Sequence, residues 1–182
     1  NKLSGFNTDY LGSLETIKKI KKQKKILVFG SGGAAKAVIL SLTKKFKKSE
    51  FFFYNRSTNK IKNLIIGLKI KNKFKIIKNL KYISNIKDLS LVVNTTSIGF
   101  DSWSKKNKNF FNLKFFTPFS NLIKIKKIKI RNQSNFIRYN KKLIEADNIK
   151  TKNFFLNRSN VEFFDIIYNP KKTKLLKYAE LY

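Results

Sequence analysis

The chain contains no cysteine, no histidine and no methionine, and only two of its 182 residues are proline. Without cysteine there is no disulfide framework and no thiolate site, and the further loss of histidine removes the usual ligands for zinc. A Ser-His-Asp or Cys-His mechanism is excluded within the chain for the same reason. No run of about 18 uncharged apolar residues occurs and no signal-peptide pattern is present, so a soluble cytoplasmic protein is expected, with no membrane partner. Acidic residues are scarce, 10 against 41 lysines and arginines, and the formal net charge is +31. Arginine is scarce too, confined to Arg56, Arg131, Arg138 and Arg158. A basic chain can attach to phosphate backbones nonspecifically. Here, however, lysines alternate with isoleucine, asparagine and phenylalanine over the whole length, with no focused patch of arginine and exposed aromatics. Lysine is therefore read as solvated surface and phenylalanine as core, and no specific nucleic-acid partner is expected.

The length suits about one domain with a real core. The missing methionine at position 1 and an apparent helix running into Tyr182 make the chain read as part of a longer protein. Leu11, Leu14, Ile17 and Ile20 fall at steps of three, which predicts a helix from about Tyr10 to Lys22 with Thr8 or Asp9 as its N-cap. Lys24 to Phe29 predicts a strand, and Ala34 to Phe46 a helix with Val38, Ile39 and Leu42 at helical spacing. Glu50 to Tyr54 predicts a buried strand, and Asn55 to Ser57 opens a second helix reaching about Ile66. Short strands follow at Phe74 to Ile77 and Leu89 to Val93. This alternation predicts an α/β fold, a doubly wound, Rossmann-like parallel sheet with helices on both faces. From Phe100 to Asn160 the pattern weakens. Ile123, Ile125, Ile128 and Ile130 suggest a strand or hairpin arm, while Asn107 to Asn109 and Asn132 to Asn135 suggest loops. So long a stretch is expected to be an insertion with structure of its own. Val161 to Tyr168 then predicts a strand stopped by Pro170, and Thr173 a cap for a last helix through Leu175, Leu176 and Ala179.

The most informative stretch is Leu27-Val28-Phe29-Gly30-Ser31-Gly32-Gly33-Ala34-Ala35. An apolar strand enters a glycine turn and leaves as a helix, the sequence form of a site for a dinucleotide pyrophosphate. Gly30 permits the tight turn, Gly32 lets the backbone approach the phosphates, and Ala35 keeps helix and strand close. Unpaired amides and the helix dipole favour an anion there. The end of the second strand says which dinucleotide. A carboxylate at that position binds the ribose 2′-hydroxyl of NAD, whereas arginine accommodates a 2′-phosphate. Tyr54-Asn55-Arg56-Ser57 is followed by Lys60, and no carboxylate lies between Phe51 and Leu64. NADP is therefore expected rather than NAD.

Separated pieces of the chain resemble one family, the shikimate dehydrogenases. They are Gly5-Phe6-Asn7-Thr8-Asp9 with Gly12, Gly30 to Ala35, Asn55-Arg56-Ser57 with Lys60, Asn94-Thr95-Thr96-Ser97-Ile98-Gly99, and Asp165-Ile166-Ile167-Tyr168-Asn169-Pro170 with Thr173. Order and rough spacing match from residue 5 to 100 and again from 161. The resemblance implies an NADP-dependent, metal-free oxidoreductase that reversibly reduces 3-dehydroshikimate to shikimate in aromatic amino-acid (chorismate) biosynthesis. It implies Asp9 as the catalytic aspartate, binding a substrate hydroxyl and working with a lysine in proton transfer, with Thr8 and Tyr168 also at the substrate. It implies Gly30, Ser31, Gly32, Gly33, Ala34 and Ala35 at the pyrophosphate, and Asn55, Arg56, Ser57 and Lys60 at the 2′-phosphate. Thr95 and Ile166 then lie near the nicotinamide.

The family's catalytic lysine belongs to a substrate-binding domain that precedes the Asn-Thr-Asp motif, and a closing glutamine-bearing segment follows the last helix; neither has a counterpart here. Residues 1–22 are thus expected to be a hinge helix with the substrate motif, and 23–182 the NADP-binding domain with an atypical insertion at about 101–160. Such a segment is expected to bind NADP without turnover, and the whole protein to be a monomer or a homodimer. Four alternatives stay open: a quinate/shikimate dehydrogenase using NAD or NADP, another dehydrogenase with this domain, a basic nucleic-acid-binding module, and an inactive remnant of the enzyme. Glutamyl-tRNA reductase or methylene-tetrahydrofolate dehydrogenase would leave Asn7-Thr8-Asp9 and the Tyr168 segment unexplained.

Overall fold

Three apolar runs, Lys25–Phe29 (β1), Glu50–Tyr54 (β2) and Leu89–Asn94 (β4), are buried on both faces, as parallel strands covered on each side must be. Ile26, Leu27, Phe51, Phe53, Leu91, Val92 and Val93 are completely inaccessible to solvent. The computed structural model describes residues 8–21, 23–101, 112–120, 133–156, 158 and 160–182. They form two compact units, residues 1–96 and 97–182.

In the first unit, β1, β2, β4 and Phe74–Ile77 (β3) make an all-parallel sheet in the order β3-β2-β1-β4. Leu27 faces Phe52 on one side and Val92 on the other. Gly33–Lys45 (α2) joins β1 to β2, and Thr58–Gly67 (α3) joins β2 to β3. Both steps run in one direction, and the chain then crosses back to place β4 on the other side of β1. Because such crossovers are right-handed, the two directions put their connections on opposite faces of the sheet. The fold is doubly wound, and its switch point lies between the ends of β1 and β4, where Phe29 pairs with Asn94.

The first helix, Thr8–Lys18 (α1), departs from expectation at both ends. Thr8 and Asp9 lie within its first turn and not before it, so neither is the N-cap. Its end is set by α2: the Lys45 ammonium donates to the carbonyls of Ile17, Lys18 and Ile20 at 2.5, 2.7 and 2.5 Å. Buried hydroxyls of Ser13 and Ser41 meet at 2.8 Å, and Lys44 donates to the Tyr10 hydroxyl. Of the expected apolar stripe, Ile17 is fully buried whereas Leu11 is exposed.

The second unit contains Gln133–Leu156 (α4), Glu162–Asp165 (β5) and Lys174–Leu181 (α5). Its centre is polar. Asp147, almost wholly buried, accepts from the Thr117 amide and hydroxyl, the Ser120 hydroxyl and the Lys174 ammonium. Lys174 also donates to the Phe115 carbonyl, and Thr117 meets Thr151 at 2.8 Å. Two expectations need correction. Helix, not loop, begins at Gln133 and takes in Ser134 and Asn135. The last strand ends at Asp165 instead of Tyr168, because the Asp165 carboxylate accepts from the Ile167 amide and the Thr173 hydroxyl and turns the chain. The Ile123–Ile130 arm and the Asn107–Asn109 loop lie outside the described residues. Thr173 does cap α5, accepting from the Leu176 amide.

Candidate functional site

The turn after β1 is built around a position only glycine can fill. Gly30 has φ +106°, and a Cβ there would stand 2.6 Å from Thr95 Oγ1 and 3.1 Å from the Thr95 carbonyl carbon. A side chain would be strained by the backbone and blocked by its neighbour. Thr95 is held in that place by two hydrogen bonds to the Phe29 carbonyl, from its amide at 2.9 Å and its hydroxyl at 2.6 Å. Asn94 fixes the next residue by accepting from the Thr96 amide and hydroxyl. The Gly30 amide donates to Tyr54, which ties the ends of β1 and β2 together.

Beyond Gly30 the surface opens. Gly32 is the N-cap of α2 and makes no side-chain cap bond, and the first turn carries no acidic residue. Gly32 and Gly33 are exposed, and a Cβ on either would meet no atom within 4 Å. The first amides of α2 therefore face outward without a carboxylate to satisfy them, which suits an anion. Ser31 and Ala34 are half-buried beside them, while Ala35 is completely buried where helix meets sheet.

The second strand ends in a similar way. The Asn55 side chain donates to the Ser57 carbonyl and braces the bend in which Arg56 projects, exposed. Ser57 is the N-cap of α3 without a side-chain cap bond, and the first turn of α3 is again free of acid and carries exposed Lys60. Burial pushes the Tyr54 phenol above its ordinary pKa, with the Arg56 charge acting in the opposite direction. Between α2 and α3 lies an open groove of about 310 Å³ lined by Ser31, Lys36, Lys60, Asn63, Leu64, Gly67 and Leu68. The structure thus brings Ser31 and Lys60 to one groove, and Arg56 is outside its lining. Lys36 and Asn63 carry no motif. Their signal is helical spacing alone, Lys36 from the turn and Asn63 from Lys60, and in so lysine-rich a chain it does not stand out.

The remaining expected residues fall elsewhere. The backbone places Thr8 and Asp9 in the first turn of α1, and Gly5 to Asn7 lie outside the described residues. Within the second unit, Ile166 is half-buried and Tyr168 is 81% exposed, with its ring against the edge of Phe100. Asn169 and Asp101 exchange two hydrogen bonds, the Asp101 amide to the Asn169 carbonyl and the Asn169 side chain to the Asp101 carbonyl. Among the described residues no group of acidic side chains is arranged to hold a metal, and no helix is long and apolar enough to cross a membrane.

No family model matches the chain. Curated proteins do. It is 32% identical over 185 residues to a shikimate dehydrogenase (NADP(+)) of Dictyoglomus thermophilum, covering 99% of this chain and 50% of that protein. A shikimate dehydrogenase (NADP(+)) of Methanosphaera stadtmanae is 37% identical over 100 residues, covering 52% of this chain and 35% of that protein. The chain thus spans about half the length, or less, of these curated relatives. Among solved structures, a quinate dehydrogenase from Corynebacterium glutamicum in complex with NAD shares the fold with a TM-score of 0.55 and 18% identity, over 97% of this chain and 49% of that one. With its glycine turn, its doubly wound sheet and a sequence match running nearly end to end, the chain is similar to the shikimate dehydrogenases over the half of their length that it spans.

Proposed function

We propose that the full-length protein is an NADP-dependent shikimate dehydrogenase, which reversibly reduces 3-dehydroshikimate to shikimate in aromatic amino-acid biosynthesis. One observation carries the reading. Two helix starts, at Gly32–Gly33 and at Ser57–Thr58, stand at the ends of neighbouring strands, both uncapped by a side chain and both free of acid in the first turn. The first follows a turn that only glycine can make, and the second is flanked by Arg56 and Lys60. Those features suit a pyrophosphate and a 2′-phosphate, respectively.

When bound, NADPH supplies a hydride to the substrate ketone. The residues of this chain hold, orient and protonate. The turn from Gly30 to Ala35 holds the pyrophosphate through the amides that follow Gly30, whose own amide is engaged by Tyr54; Asn55, Arg56, Ser57 and Lys60 hold the 2′-phosphate; Thr95 lines the nicotinamide end. Asp9 accepts a hydrogen bond from a substrate hydroxyl and, with a lysine, delivers the proton that the carbonyl oxygen needs as its charge develops. Thr8 fixes the substrate's orientation. Residues 1–22 form the hinge segment with the substrate motif and 23–182 the cofactor domain, with 101–160 inserted in it. The protein acts in the cytoplasm as a monomer or homodimer, and its lysines are solvated surface rather than a nucleic-acid site.

The test is shikimate-dependent reduction of NADP⁺ by the full-length protein. Turnover is expected, and Asp9→Asn is expected to lower kcat about 100-fold or more while NADPH binding stays as it was. Absence of turnover in the full-length protein, or a fully active Asp9→Asn, removes the reading.

A further inference from the structure

We propose that Lys36 is a specificity-determining residue, which grips the adenosine 2′-phosphate from α2 while Lys60 grips it from α3. The inference rests on the NADP reading above and adds to it a residue on the opposite helix. Lys60, Leu64 and Gly67 recur at helical spacing and form one stripe along α3, and Lys36, in the first turn of α2, lines the same groove from the facing wall. Ser31, in the glycine turn itself, also lines it. A phosphate that leaves the turn toward α3 therefore enters a groove lined by a lysine from each helix.

The charges there are uncommitted. Among the described residues Lys36 and Lys60 take part in no ion pair, whereas Lys25, Lys75, Lys114 and Lys174 all do. No acidic side chain lines the groove to oppose them. Asn63 offers an amide donor, and Leu64 and Leu68 add apolar surface to the lining. Gly67, where a Cβ would meet nothing within 4 Å, keeps the groove wide. A ribose 2′-hydroxyl gives two ammonium groups almost nothing to hold; a phosphate dianion gives both a full partner. Arg56, exposed and outside the lining, cannot replace that two-sided grip.

Equilibrium titration of the full-length protein with adenosine 2′,5′-bisphosphate and with AMP tests this. The wild type is expected to prefer the bisphosphate. Lys36→Gln is expected to weaken the bisphosphate about five- to tenfold with AMP held within about twofold, and Lys36→Arg to restore most of the preference. If the wild type discriminates and Lys36→Gln discriminates as well, the inference is overturned and the NADP reading stands. If Lys36→Gln weakens both probes alike, Lys36 serves the 5′-phosphate, which also overturns it. A wild type that does not discriminate sinks the NADP reading first.

Discussion

Gly30 and Thr95 are so placed that a single added methyl group would bring them into collision: a Cβ on Gly30 lies 2.6 Å from the Thr95 hydroxyl. The Thr95 hydroxyl is itself tied to the Phe29 carbonyl, one residue before the glycine. The glycine turn is therefore shaped from behind by the residue that follows β4, while the Gly30 amide is tied to the Tyr54 carbonyl.

Replacing Gly30 with alanine adds the cost of a positive φ to that collision. Gly30→Ala is expected to lower stability by about 1–3 kcal/mol and to abolish dinucleotide binding. Adding Thr95→Ala removes the 2.6 Å contact but neither the approach to the Thr95 carbonyl carbon nor the backbone strain. Chemical denaturation should show a partial recovery in the double variant, whereas a complete recovery would mean that φ is no constraint.

Lys45 is expected to hold α1 in place. Its ammonium covers three carbonyls at and just beyond the end of α1, of which that of Ile17 also accepts from the Ile20 amide, and meets the negative end of the helix dipole. Lys45→Ala should cost about 1 kcal/mol and speed amide exchange in α1 selectively. Uniform exchange across α1 and α2 in the variant would contradict a local role.

The buried pair Asp147–Lys174 has a different arithmetic. The pair need not add net stability, but removing one partner leaves a charge in the core. Lys174→Met strands a carboxylate that is 1% exposed and should cost about 3 kcal/mol or more, although the Thr117 and Ser120 bonds remain. A double variant, Asp147→Leu with Lys174→Met, is expected to regain part of that loss in a thermal-melt comparison.

Tyr54 sets an alkaline limit. Burial raises its phenol pKa above the ordinary value, with the Arg56 charge opposing, and a raised folded pKa gives stability that is whole at lower pH. That contribution is lost as pH climbs from the ordinary tyrosine range through the raised value. Tyr54→Phe should therefore flatten the decline in stability at alkaline pH, measured against the wild type in the same buffers.

Much of the fold could be read directly. β2 and β3 match their expected residues, and β1, β4, α2 and α3 differ only at their ends; β1, β2 and β4 were legible because buried parallel strands are largely apolar runs. The glycine turn was legible for the same reason that it is irreplaceable. What escaped is polar. The buried face of α4 runs Phe136, Asn140, Asp147, Thr151, Phe154 and Phe155, helical in spacing but half hydrophilic, so no apolar stripe marks it. β5 stops early because Asp165 captures the next turn, which depends on a partner eight residues away at Thr173. Lys36 and Lys45 do work that depends on three-dimensional placement, and composition hides each among the other lysines.

The central claim is that the crevice above β1 and β2 takes a dinucleotide with a third phosphate. Its most direct test is the dissociation constant of the full-length protein for NADPH against that for NADH, measured by fluorescence titration. Binding of NADPH tighter by about tenfold or more, narrowing when Arg56 or Lys60 is neutralised, is the expected result. Equal affinity for the two, or binding of neither, contradicts it.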